Sequence, residues 1–446
     1  MDNAVKYKQL TDEAYKKNFS LLTPVNHLNE NSITEFMAVI EFPTAEKPKP
    51  TLPGFLAENI AHIDNQLKAA GAVLIRGASD CSDSFGEIPN TIREYRHNQA
   101  GNSAATTRKE RIGIGESNSD FSIKKLILED YFPRDPQQFD GFSVYTAGSV
   151  TPSTFIPLHN EGASYSTNLL SMPSILTFYC AKPPHKGEGC TLLAKNKDVI
   201  IDIPPPLRDK LRAIDPEELV STVVFPSREN KVAVAIIDAI LKITPLRESD
   251  RTIDPEQLRL NSIFAYWQDG LSAQAKNMTK SEVLAIAEKD ISSSGGRVFF
   301  DAMDNLHVCF NLCERLIRKV EYQPGDGEIE VLYTDVPYHY SAVEVDIIRR
   351  LVTAELGSGF VEENRQQFDQ LLELIVGKSY TLNLLVSLEE HLSGEELDQI
   401  RIAMIKNAVR FDYRQGDILI IDNHRVMHGR EPHRCLDRQI KLALAM

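Results

Sequence analysis

Short apolar runs gather at two distant places in this chain, and helical periodicity fills the interval between them. The early runs are "AVLIRG" (72–77), "STFIPLH" (153–159), "SILTFYC" (174–180) and "CTLLA" (190–194), bounded by Gly and Pro as buried strands usually are. The late runs are "RFDYRQ" (410–415), "DILIID" (417–422) and "DRQIKLALAM" (437–446). Between them, "PPLRDKLRAI", "SEVLAIAEKD", "AVEVDIIRRLVTAEL", "RQQFDQLLELIV" and "SGEELDQIRIAMIKNAV" repeat apolar residues at helical spacing. A buried strand must find partners for its backbone groups. Strands that lie early and late around a helical middle therefore predict a β core closed by its two ends and covered by a large mixed insertion. The expected division is one domain over residues 1–446, with core strands at about 70–200 and 405–446 and the insertion at about 225–365. "LAENIAHIDNQLKAAG" (56–71) reads as a further helix stopped by Gly71, after a Pro-punctuated loop at 43–55.

The bulk numbers narrow the function classes. A formal net charge of −14, with the Lys and Arg dispersed, argues against a nucleic-acid footprint. No apolar run reaches membrane-spanning length, and the N-terminal stretch has no apolar signal core, so the cytoplasm is the expected compartment. Six cysteines give no disulfide framework. Cys309 and Cys313 are four apart in "LHVCFNLCERLI", which reads as one face of an apolar helix. "NQAGNSAATTRKERIGIGESNSD" reads as a surface loop, and its "GIGES" lacks the context of a nucleotide fingerprint.

"FIPLHNEGASYS" (155–166) places His159 and Glu161 two residues apart at the end of an apolar run. On a strand, positions i and i+2 share a face about 7 Å apart along the chain. His428 follows 269 residues later, beyond the strand "DILIID". A His-x-acid pair with a distant His is the ligand set of the facial triad in non-haem Fe(II) oxygenases, which leaves positions open on one side of the metal. A 2-oxo diacid on such a metal needs a cationic fork for its far carboxylate, and Arg supplies one. Arg438 lies ten residues past His428 on a returning strand, and Thr191 in "GEGCTLLA" offers a hydroxyl. Taken singly, each residue reads as structural or solvated; together and in this order they read as a site.

These stretches, with "LKAAGAVLIRG" (67–77), "VYTAGSVTPSTFIPLHNEGASYS" (144–166), "PSILTFYCAKPPHKGEGCTLLA" (173–194), "YWQDGLSAQAKNMTKSEVLAIAEKD" (266–290) and the tail from Arg410, resemble the taurine dioxygenase-like family of Fe(II)/2-oxoglutarate enzymes. Within it, the chain is most similar to the hydroxylases of antibiotic and siderophore biosynthesis. The resemblance implies a double-stranded β-helix, or jelly roll, wrapped by helices. It implies that His159, Glu161 and His428 hold Fe(II), that Thr191 and Arg438 hold 2-oxoglutarate, and that O2 is the co-substrate. It also implies hydroxylation of a small molecule, an amino acid free or tethered to a carrier protein. Desaturation or cyclisation by the same cofactors, halogenation, a zinc hydrolase using the same ligands and a relic site remain alternatives, and a homo-oligomer is open. The sequence departs from the family at His433, at Glu188 and Cys190 in "GEGC", and in "HRCLDR", where Arg434 competes with Arg438. Substrate anchors near the metal in sequence are Asn160, Tyr165, Asn168, Arg425 and Arg430.

Overall fold

The structure is a computed structural model that describes residues 12–13, 15–17, 19–20, 25–43, 50–99, 120–123, 126, 138–139, 142–146, 155–162, 173–243, 266–291, 296–312, 315–321, 327–334, 340–378, 387–435 and 438–445. The N-terminal part supplies strands β1 (Asn26–His27), β2 (Ala38–Glu41) and β3 (Ala72–Arg76). Five follow: β4 (Gln138–Phe139), β5 (Phe142–Thr146), β6 (Ile156–His159), β7 (Ile175–Lys182) and β8 (Thr191–Lys195). The insertion contributes β9 (Val220–Phe225), β10 (Arg297–Phe300), β11 (Leu306–Asn311), β12 (Ile317–Glu321) and β13 (Glu328–Leu332). The C-terminus adds β14 (Val409–Phe411), β15 (Ile418–Asp422), β16 (Val426–Arg430) and β17 (Gln439–Ala445).

Early and late strands do pair. Among the described residues, one sheet runs β2-β3-β15-β7-β17-β5-β4 and a second runs β1-β14-β8-β16-β6. Strand β15, the run "ILIID", lies between β3 and β7 and is buried at every position, as a central strand covered on both faces must be. The two sheets pack face to face. Leu176, Phe178, Leu419, Ile421 and Ile440 of the larger sheet share one apolar cluster with Leu193, Phe411 and Val426 of the smaller. Two strands of these sheets, β1 and β2, come from before residue 70, outside the expected bounds of the core strands.

Helix α1 (Leu52–Ala70) starts inside the stretch read as a loop. Pro53 is tolerated there because the first-turn N–H needs no partner, and Thr51 caps the helix by accepting from the Gly54 N–H. Gly71 ends it at φ 81, a left-handed position. A side chain at Gly71 would also meet Val426 and Arg425. Helix α2 (Ile88–Gln99) joins α1 over the outer face of the larger sheet, with Phe55, Ile63, Ile88 and Ile92 against Ile75, Ile418 and Ile420.

The insertion is welded to the core. Its sheet β10-β11-β9 contributes Val223, Phe225, Leu306, Val308 and Phe310 to the same cluster that lies between the main sheets. Helix α4 (Lys280–Ile291) packs on β10, while α3 (Lys231–Ile243), α5 (Tyr340–Leu356) and α6 (Arg365–Lys378) pack on one another in a separate apolar cluster. Helix α7 (Gly394–Lys406) carries a capping box. Ser393 Oγ accepts from Glu396 N at 3.2 Å, and Glu396 Oε2 accepts from Ser393 N at 2.8 Å. Its Leu397, Ile400 and Met404 cover the outer face of the smaller sheet at Leu192, Ala194 and Met427.

One reading is corrected. "LHVCFN" is strand β11, not a helix, and Cys309 is buried beside Thr222, whose hydroxyl donates to Sγ at 3.3 Å. The four-residue cysteine spacing suggested a helix, but the run pairs with a strand on each side, β10 and β9, and that pairing decides its conformation. Cys313 and the "GIGES" loop lie outside the described residues. No helix among the described residues is long and apolar enough to cross a membrane.

Candidate metal centre

Strands β6 and β16 lie side by side with His159 opposite His428. Gly429 permits this approach, since a Cβ there would stand 2.7 Å from the Ile156 carbonyl oxygen. The imidazole centroids are 4.3 Å apart, and the Phe178 ring of the facing sheet lies 5.2 Å from that of His428.

Glu161 joins them by a different route from the one its spacing suggests. Strand β6 ends at His159, and Glu161 begins a turn that Gly162 completes at φ 71. Asn423, just past β15 and 0% exposed, holds that turn. Its Oδ1 accepts from Glu161 N at 2.8 Å, and its Nδ2 donates to Glu161 O at 3.0 Å and to Pro173 O at 2.9 Å. Asn160 is equally committed. Its Nδ2 donates to Asn423 O at 2.6 Å, and its Oδ1 accepts from Thr334 N at 3.1 Å. Its own N–H reaches Thr334 O at 2.9 Å, so the end of β13 is tied to the ligand-bearing turn.

The result is one point faced by three donors, whose ligating atoms all lie within 4.8 Å of one another. Glu161 Oε2 is 3.6 Å from His159 Nε2 and 3.2 Å from His428 Nε2. His159 Nδ1 lies 2.8 Å from the Pro157 carbonyl oxygen, which requires that nitrogen to carry a proton. Burial, with His159 beside it, pushes the His428 imidazole below its ordinary range and so towards neutrality. Burial alone would raise the Glu161 carboxyl, but hydrogen bonding and charge at the two histidines hold it well below the usual carboxylate range. Two imidazoles turned towards an ionised carboxylate form a donor set that a divalent cation fits.

The next layer lies along the same strands. Arg430, two residues past His428 and therefore on its face of β16, pairs in register with Thr191. Both are buried. Arg438 is also buried, at 3% exposure, just before β17. Tyr413 lies beside Thr191 and in the field of Arg438: burial raises its hydroxyl above the ordinary range, and these two neighbours oppose that. Arg434 instead lies exposed outside, donating from its N and Nε to Glu188 at 2.9 and 3.0 Å. That pairing explains the glutamate in "GEGC". His433 is fully buried, with Nδ1 2.8 Å from Cys435 O.

Not every expected substrate anchor reaches this region. Arg425 points away, bonding Asp422 Oδ2 at 3.3 Å and the Glu321 carbonyl. Tyr165 and Asn168 lie outside the described residues. Sequence reasoning missed Asn423 and Tyr413. Asn423 had a local signal, since a small amide directly after a strand favours turns and local backbone bonding.

The fold and site thus define a two-sheet protein with a His/Glu/His centre between its sheets. Residues 365–442 match the family model described as taurine catabolism dioxygenase TauD, TfdA family. The match spans His428 and Arg438, and it agrees with the resemblance read from the sequence. Among curated proteins, no sequence matches the chain. Solved structures similar to it include PvcB from Pseudomonas aeruginosa, at 10% identity and TM-score 0.32, covering 86% of this chain and 78% of that one. An asparagine oxygenase in complex with Fe(II), a hydroxyasparagine and succinate matches at 11% identity and TM-score 0.33, covering 99% and 91%. AAD-2 in complex with Mn(II) and N-oxalylglycine matches at 11% and 0.33, covering 95% and 97%.

Proposed function

We propose that the protein is an Fe(II)- and 2-oxoglutarate-dependent oxygenase built on a double-stranded β-helix. Its reaction is hydroxylation of an unactivated C–H bond in a small molecule, with an amino acid, free or carrier-tethered, as the substrate class. The observation that supports this best is the meeting of His159, Glu161 and His428 at one point, with a buried arginine and hydroxyls further along the same strands. The TauD-like match over the C-terminal strands points the same way.

In this reading, Fe(II) on His159, Glu161 and His428, with 2-oxoglutarate and O2, supplies the oxidising power for C–H cleavage. The chain's own groups do the rest. Arg438 pairs with the far carboxylate of 2-oxoglutarate in the bidentate manner that suits guanidinium, and Thr191 and Tyr413 add hydroxyl donors beside it. Arg430, on the same face as His428, offers a cation for a substrate carboxylate. Asn423 and Pro157 fix the orientation of Glu161 and His159, as outer partners do in metal sites. Phe178 packs against His428 and keeps that side of the centre apolar. Residues of the 225–365 insertion form the cover, anchored through the Thr334–Asn160 pair. A zinc hydrolase would use the same three ligands but has no need of a buried arginine and hydroxyls arranged for a dicarboxylate.

The test is succinate release from 2-oxoglutarate by the Fe(II)-loaded protein, screened over a panel of amino acids and related metabolites. Substrate-stimulated succinate with a product heavier by one oxygen is expected. Metal-dependent hydrolysis without consumption of 2-oxoglutarate would overturn the reading.

A further inference from the structure

The back of the smaller sheet carries a second group of ligating side chains. Four strands adjacent in the sheet each bring one to the same end: His27 of β1, Asp412 just past β14, Cys190 just before β8 and Glu431 just past β16. The registers set Asp412, Cys190 and Glu431 in a row, with His27 beside them on the edge strand. His27 pairs with Arg410, and Thr191 pairs with both Phe411 and Arg430. One step further along, Asp412 and Glu431 flank Cys190, and the Glu431 N–H donates to Cys190 O at 3.0 Å. Pleating turns this row to the face opposite Thr191 and Arg430, away from the His159/Glu161/His428 centre.

The ligating atoms of His27, Cys190 and Asp412 lie within 4.8 Å of one another. His27 Nε2 is 3.3 Å from Asp412 Oδ2, and Cys190 Sγ is 2.9 Å from Asp412 Oδ1. A separate observation concerns Glu431, which is 0% exposed. Its Oε1 accepts from Arg410 Nη1 at 2.8 Å, while its Oε2 is buried without a hydrogen-bond partner. The Cys190 thiol has one proton to give, and the Asp412 and Glu431 carboxylates both face it. Two carboxylates gathered on one thiol proton at the buried end of a sheet are costly unless a cation completes the group.

We propose that this group is a zinc site, with His27 Nε2, Cys190 Sγ and an Asp412 oxygen as ligands and Glu431 as the adjacent fourth donor. Imidazole, thiolate and carboxylate are the donors a borderline-soft tetrahedral cation takes. The charge balances: one thiolate and two carboxylates face a divalent ion and the Arg410 guanidinium. The ion would tie β1, a two-residue strand with little pairing of its own, to the end of the sheet. It would also fix the strand ends whose next residues are Thr191 and Arg430.

Cobalt(II) is the probe, because the two sites differ in sulfur. Titrated into the full-length, reduced protein under argon, about one equivalent is expected to produce near-ultraviolet thiolate-to-cobalt charge-transfer absorption, displaced by zinc(II). Cobalt held by His159, Glu161 and His428 cannot give that band, so failure of the proposed activity leaves this outcome intact. Cys190→Ser is expected to abolish the band, and His27→Ala, at the exposed sheet edge, to weaken cobalt binding there by more than about tenfold. Absence of the band in the unmodified protein, or its persistence in Cys190→Ser, would overturn the proposal. Should Cys190→Ser not fold, unchanged cobalt affinity in His27→Ala overturns it equally.

Discussion

Replacing Asn423 by alanine should weaken metal binding without touching a ligand. The side chain makes three hydrogen bonds to backbone, two of them to Glu161 itself, at 2.8 and 3.0 Å. Removing the amide leaves the Glu161 N–H, the Glu161 carbonyl and the Pro173 carbonyl without those partners. A buried polar group stranded in this way costs roughly 1–3 kcal/mol. The turn at Glu161 is only part-buried, so water will restore some of this, and a net loss of about 2–4 kcal/mol in stability is expected. Metal affinity should fall separately. Outer partners of metal ligands typically contribute about 10–100-fold, equivalent to about 1.4–2.8 kcal/mol. Thermal unfolding of the metal-free variant measures the first effect, and anaerobic Fe(II) titration of the folded variant measures the second. A folded Asn423→Ala protein that binds Fe(II) as tightly as the unmodified chain would refute the reasoning, since Glu161 would then be held by something other than this clamp.

Three further outcomes follow from the same geometry. Arg438→Leu should raise the 2-oxoglutarate requirement far more than the substrate requirement, by removing a charge-assisted pair worth roughly 1.5–3 kcal/mol, while Arg434→Leu should not; steady-state kinetics on both variants decides. The product formed in chloride buffer should carry oxygen and no chlorine by mass spectrometry, because on the proposed ligand set the Glu161 carboxylate would take the metal position a halide needs. Asp417 supplies a pH signature. Burial, opposed by the Arg414 N–H and by Arg76, raises its carboxyl from 3.8 to about 6. The folded state therefore holds this proton more tightly than the unfolded chain. The associated stability is complete below pH 3.8 and is lost as pH rises through about 6, a difference of up to about 3 kcal/mol. Denaturant unfolding from pH 4 to 7 should show a flatter profile in this window for Asp417→Asn, and identical profiles would contradict the assignment.

What could be read from the sequence were features whose signal is local. Strand β15 announces itself as five consecutive apolar or terminal residues, and α7 by Ser393 and Glu396 at capping-box spacing. Strands β1 and β2 are too short for periodicity to show, and they exist because neighbours at β14 and β3 offer open edges. The pairing of His159 with Glu161 was visible, though the reason for it was not. Strand alternation suggested a shared face, whereas the chain leaves the strand and Asn423 returns Glu161 to the histidine. Cys309 failed for the converse reason, because a four-residue spacing invites a helix wherever both residues are cysteine. The group of His27, Cys190, Asp412 and Glu431 spans most of the chain with no motif in it, and only the sheet order brings it together.

The central claim is that His159, Glu161 and His428 hold the iron through which 2-oxoglutarate is consumed. The direct measurement is succinate formation from 2-oxoglutarate and O2 in the presence of a turned-over substrate, compared between the unmodified chain and folded His428→Ala, each with its Fe(II) stoichiometry determined anaerobically. The expected result is Fe(II)-dependent succinate formation in the unmodified protein, and loss of both turnover and Fe(II) binding at this centre in the variant. Full turnover in His428→Ala, or in the unmodified protein stripped of iron by a strong chelator, would contradict the account.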